Sequence, residues 1–157
     1  MDSRSACIGA AAGAVVGALG ALYFSKRQRR RHPPRRIGGL ILLRRDQYEE
    51  YKRLHAAVWP SVLQRIYDSN IRNFTIYYHA ASGYMFHHFE YVGADFDADM
   101  AKIAADPETL KWWAVCEPCQ QPLKWNGPPP SVGGGEGEWW ASTEELFHCG
   151  HPASGFC

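Results

Sequence analysis

The sequence has no even set of cysteines and no surplus of one charge, and each lack removes a class of protein. Five cysteines, Cys7, Cys116, Cys119, Cys149 and Cys157, cannot all pair within one chain. With 157 residues, 46% of them hydrophobic, the chain can fill one core without a disulfide framework, so reduced thiols are expected. Zinc ligation is only faintly signalled. A single C-x-x-C joins Cys116 to Cys119, and "HCGH" (148–151) adds His148, Cys149 and His151. Pro118 lies inside the pair and the second half lies near the chain end, so unrelated thiols are the simpler reading, and no metal is expected. The net charge of +1 hides an uneven spread. Residues 1–36 hold eight Lys/Arg against Asp2, near +7, which leaves nine basic and fifteen acidic residues for 37–157, near −6. The folded part therefore lacks the basic surface that nucleic acid requires, and no nucleic-acid partner is expected.

Charge is also missing from "CIGAAAGAVVGALGALYF" (7–24). An uncharged run of that length sits at the lower end of the ~17–25 residues that span a bilayer as a helix. The basic cluster "KRQRRRHPPRR" follows the run, whereas a secretory signal carries its positive charge ahead of it. The reading is an apolar N-terminal helix acting as a short membrane anchor, with the folded domain facing the cytosol. The alternative is a signal or mitochondrial targeting segment; without an anchor the domain would be cytoplasmic. Gly9, Gly13 and Gly17 form a small-residue ridge on such a helix, and Pro33, Pro34 and Gly38-Gly39 end it. The division expected is anchor and basic linker over 1–36, one domain over 37–150, and a tail over 151–157.

Within the domain, "IGGLILLRR" (37–45) reads as a buried strand, with Asp46 expected to cap the helix that follows. Residues 47–69 keep apolar side chains at helical period, and Pro60 predicts a kink or restart. "NFTIYYHA" (73–80) and "GYMFHHFEYV" (83–92) form a hairpin around Ala81-Ser82. In the second run Met85, His87, Phe89 and Tyr91 share one face. Helices follow over 94–106 and 106–119, the latter with Asp106 as cap and Pro107 in its first turn. Residues 120–138, with Pro128-Pro129-Pro130 and Gly133-Gly134-Gly135, read as a loop insertion with little structure, and 143–149 as a final short strand. The order β-α-β-β-α-(α)-β is that of an α+β ferredoxin-like plait, or dimeric α+β barrel. Both sheet faces carry apolar residues, so a homodimer is expected to cover the one that the helices do not.

"YKRLHAAVWP" (51–60) places Tyr51, His55 and Trp59 on one helix face at four-residue spacing. Together with "NFTIYY", "ADPETLKWW" (105–113) and "ELFH" (145–148), this stretch resembles the L-rhamnose mutarotase family across nearly the whole of 37–149. The combination Y-x-x-x-H-x-x-x-W-P with a later D-P-x-x-x-x-W-W is far more specific than any one piece. The resemblance implies a cofactor-free isomerase that interconverts the α and β anomers of a free sugar. His55 would be the proton donor, Tyr51 its partner, and Trp112 and Trp113 contacts to the sugar, with Trp59 and Phe74 also bordering it. Histidine suits the task on its own terms, since an imidazole of pKa ~6.5 both gives and takes a proton near neutrality.

One departure stands out. The family has a substrate-binding tyrosine where this chain has Phe74, so either the sugar differs or Tyr77 or Tyr78 substitutes. Two other readings compete: a non-catalytic, membrane-anchored, dimeric sugar-binding or scaffold module, and, less favoured, a cofactor-free monooxygenase of similar shape.

Overall fold

Arg35–Leu43 forms β1, nine residues of which Ile41 and Leu43 are fully buried. The strand starts two residues ahead of the expected boundary at 37. The computed structural model describes residues 33–150, so the expected apolar helix and anchor over 7–24, most of the linker, and the tail over 151–157 lie outside the described residues. Among the described residues no helix is long and apolar enough to cross a membrane.

After β1 a 3-10 turn (Arg45–Gln47) leads into α1 (Tyr48–Ala56). Asp46 sits exposed inside that turn and caps nothing; neither Arg44 nor Gln47, the residues at the two helix starts, makes a side-chain cap. The stretch 47–69 is two helices, because proline forces the residue before it into extended backbone. Trp59 has φ −61° and ψ 133°, and Pro60 opens α2 (Pro60–Asp68) at a position whose N–H no helix would use. α3 (Phe96–Ala104) and α4 (Pro107–Cys116) are capped by aspartates: Asp95 accepts from Ala98 N at 3.1 Å, and Asp106 from Thr109 N and Oγ1, both at 2.9 Å.

β2 (Ile71–His79) and β3 (Tyr84–Tyr91) form the expected hairpin. Its turn is clamped by Arg45, whose guanidinium donates to the carbonyls of Ala80 and Ala81 at 3.0 and 2.6 Å. The ladder shifts between Arg72 and Thr75, where Asn73 adopts a φ of +53°. That bulge reverses the parity of β2, so Ile76 and Tyr78 come to share the inner face with Ile71.

The sheet order is β2-β3-β1-β4, with β4 (Gln120–Gln121) against the end of β1 and β7 (Ala141–Thr143) against its middle; every pairing is antiparallel. This is the plait topology. Its inner face is covered by the helices: Ile41, Leu43 and Met85 pack with Tyr51, Val62, Trp112 and Cys116, and a second cluster joins Ile71, Phe89 and Tyr91 to Ile103.

Two expectations fail near the C-terminus. The final strand is Ala141–Thr143, not 143–149; residues 144–150 have no regular structure, and Glu145 stays near β1 through a bidentate ion pair with Arg36 at 2.7 and 2.8 Å. The segment 120–138 is not structureless. It holds β4 and a small hairpin of β5 (Lys124–Asn126) and β6 (Glu136–Glu138). Trp125 anchors that hairpin by donating to the Pro128 carbonyl at 2.9 Å, and its indole occupies the space a side chain at Gly135 would need.

Candidate active site

A cavity of about 340 Å³ opens between the helices and the inner face of the sheet. Tyr51, His55, Trp112, Trp113 and Phe74 all border it. Trp59 does not; it stands in the break between α1 and α2 and packs edge-on to Trp112 with ring centroids 5.5 Å apart.

One helical turn separates Tyr51 from His55, and their rings stack at 4.1 Å. Nδ1 of His55 lies 3.0 Å from the Tyr51 carbonyl, so in the neutral ring Nδ1 carries the hydrogen and donates it, leaving Nε2 without a protein partner among the described residues. Trp112 meets the imidazole edge-on at 5.4 Å. Burial pulls the His55 pKa below 6.5, and the bond to the Tyr51 carbonyl opposes that shift in part. The result is an imidazole that is mostly neutral at pH 7 and that can still cycle its proton at Nε2.

Tyr51 is only 6% exposed, and burial pushes its phenol well above its ordinary pKa. It therefore remains a hydroxyl. Gln120 Nε2 donates to that oxygen at 3.3 Å, while Gln120 Oε1 accepts from Trp139 Nε1 at 2.7 Å. With its lone pair engaged in this way, the phenol keeps its own hydrogen to offer to a ligand.

Trp112 and Trp113 divide their work as adjacent helical residues must, being ~100° apart. Trp112 is buried in the main core, whereas the half-buried Trp113 reaches both hydrophobic clusters. Phe74, 42% exposed, faces the cavity and packs its ring at 5.5 Å from His87 and Phe89.

Several lining residues were not among the candidate site residues. Pro130, Trp139 and Trp140 close the cavity from the insertion, and Glu117 ties that segment down by accepting from the backbone N–H of Ser131 at 2.9 Å and from its hydroxyl. The sequence marks them by the Pro128-Pro129-Pro130 run and by the paired tryptophans of "EGEWW" (136–140). His87 on β3 is the other omission, and strand alternation had already set it beside Met85 and Phe89. Among the described residues, no three His, Cys, Asp or Glu side chains converge as metal ligands. Cys116 and Cys119 are core residues, with burial holding the Cys116 thiol up at about 12.

The sequence profile of the L-rhamnose mutarotase family matches residues 36–149. The chain belongs to that family. The L-rhamnose mutarotase of Lactiplantibacillus plantarum is 29% identical over 113 residues, covering 72% of this chain and 96% of its own. That of Bacillus subtilis is 25% identical over 84 residues, 54% of this chain and 78% of its own. The crystal structure of an L-rhamnose mutarotase from Formosa agariphila shares the fold, with a TM-score of 0.56 at 21% identity, over 74% of this chain and 99% of that one.

Proposed function

We propose that the chain is a mutarotase that interconverts the α and β anomers of a free, uncharged aldose, L-rhamnose or a similar deoxy-sugar. The observation that carries this is the unpartnered Nε2 of His55, set beside a protonated phenol and against an indole on the wall of one cavity. Its volume is near the small end of ligand pockets, ~300–1,000 Å³, which suits a monosaccharide. Among the described residues no lysine or arginine lines it and Glu117 is the only formally charged one that does, so this lining offers sugar phosphates and sugar acids no neutralising charge.

In this mechanism imidazolium His55 gives its Nε2 proton to the ring oxygen as the bond from that oxygen to C1 breaks. The anomeric hydroxyl gives up its own proton to solvent, which leaves the open-chain aldehyde. Rotation about C1–C2 turns the other carbonyl face to the released hydroxyl; ring closure then forms the C1–O bond, returns a proton to Nε2, and the new anomeric oxygen takes one up. Tyr51 donates a hydrogen bond to a sugar oxygen, and an indole of the Trp112-Trp113 pair lies against the apolar face of the ring.

Saturation-transfer NMR on equilibrated L-rhamnose tests this. The wild-type chain should exchange the anomers above background, and His55→Ala should lose ~10²–10⁴-fold in rate. Equal rates above background in wild type and His55→Ala would overturn the role of His55, and a wild type that binds sugar but exchanges it only at the background rate would refute the enzymatic reading and leave a binding module.

The same reading extends to assembly and location. Tyr77 and Phe86 stack at 4.8 Å on the outer sheet face and stay 51% and 45% exposed, which supports a homodimer joined through that face. The uncharged run 7–24 followed by basic residues supports tethering at a membrane; alkaline carbonate extraction should leave the full chain, but not residues 37–157, with the membrane fraction.

A further inference from the structure

On the β2-β3 part of the cavity wall, among the described residues, His87 is the one side chain with hydrogen-bonding nitrogens; its neighbours there, Ile71, Phe74, Ile76 and Phe89, are hydrocarbon. It is held in place from several sides. Trp140 lies against the ring at 4.7 Å, Phe74 meets it edge-on at 5.5 Å, and Phe89 flanks it at 5.6 Å. Beneath it, on β1, the cross-strand partner is Gly39. A Cβ at that position would fall 2.7 Å from His87 Nε2 and 3.3 Å from Cβ of Trp140, so only glycine leaves the imidazole its place.

Neither ring nitrogen of His87 has a hydrogen-bond partner among the described residues, although a half-buried imidazole of this kind ordinarily finds one. Neither nitrogen is spent on another part of the protein, and the ring borders the cavity. We propose that His87 is a specificity-determining residue of the sugar site, hydrogen-bonding a ring hydroxyl from the sheet side while His55 acts from the helix side. The inference rests on the mutarotase reading above.

Two physical arguments set the kind of role. Burial, with His88 adjacent, pushes the His87 pKa down to about 4, so the ring is neutral at pH 7 and has one donor and one acceptor. A hydroxyl is also both donor and acceptor, and matches it. A group of that pKa is a poor proton carrier near neutrality, so recognition rather than proton transfer is its task. The placement also bears on Phe74, which lacks the hydroxyl of its family counterpart: the ring that Phe74 braces supplies polar contact to the same wall.

The test is anomer exchange by the full chain as a function of L-rhamnose concentration, for wild type, His87→Phe and His87→Gln. His87→Phe keeps the ring shape and should raise KM about tenfold, the cost of one lost hydrogen bond, with kcat changed less than about threefold. His87→Gln, which restores a donor and an acceptor, should recover most of the loss and decides the matter should the Phe variant fold poorly. Among monodeoxy analogues of rhamnose, one should be penalised by the wild type and not by His87→Phe. An unchanged KM in both variants, or a collapse of kcat at constant KM, overturns the proposal while the mutarotase reading stands. No exchange by the wild type on any common aldose removes both.

Discussion

A phenol that accepts from a buried amide and keeps its own hydrogen in reserve is sensitive to loss of a single oxygen. Tyr51→Phe should leave the Gln120 amide without its acceptor, at a cost of about 1–3 kcal/mol in stability. Chemical denaturation should show it, and the exchange rate should fall with it, because the sugar loses the donated hydrogen bond. His55 and His87 make the fold sensitive to acid in a defined window. Burial lowers both pKa values, so the unfolded chain binds more protons than the folded one once the pH drops below the ordinary 6.5. Stability is complete above 6.5 and falls as the pH moves toward about 4, by about 3 kcal/mol for His87 alone at 1.36 kcal/mol per pH unit. Melting temperatures of wild type and His87→Phe should thus converge or cross above 6.5 and separate in favour of the variant near 4.5. Identical acid slopes in the two proteins would show that His87 is not buried in its neutral form.

At the scale of elements, the insertion decides how closed the site is. It reaches α1 through Trp139, Gln120 and Tyr51, and it reaches α4's end through Ser131 and Glu117. Replacing the segment between β5 and β6 by a two-glycine link should spare the plait, whose strands lie elsewhere, while opening the roof. The expected result is a rise in KM well beyond any fall in melting temperature. These elements also mark the limit of what the chain could disclose in advance. Long signals were legible: the helical period around Tyr51 and His55, the Asp106-Pro107 start of α4, and the alternation of β3. β4 to β7 have two or three residues each, too few for any periodicity to register. β4 and β7 exist only against backbone already laid down by β1, and β5 and β6 only against each other. The imidazole and amide of His87 and Gln120 were hidden for the same reason. His87 is placed by the missing side chain of Gly39 on another strand, and Gln120 gains its importance from a tryptophan 19 residues further on. Asp46, by contrast, fitted a capping pattern that local geometry did not use.

For the molecule as a whole, the outer sheet face is where assembly can be tested. Tyr77 and Phe86 are neighbours across the β2-β3 ladder, and a charge placed between them would be directly opposed by its own symmetry mate in a face-to-face dimer. Phe86→Glu should therefore yield monomer in sedimentation while leaving each site's cavity lining untouched, since Phe86 is not part of it. If that variant sediments as the wild type does, the dimer reading of this face is wrong.

One strand in this architecture serves two masters along a single edge. β1 offers its far end to β4 and its middle to β7, so the chain leaves and re-enters the sheet on the same rail, barely a few residues apart in space. Whatever lies between those two moorings is a cassette: residues 122–140 supply none of the rungs that join β1 to its neighbours, so their length and composition are free of the frame. What the cavity admits can thus change with that segment while the imidazole of His55, carried on α1, stays where it is.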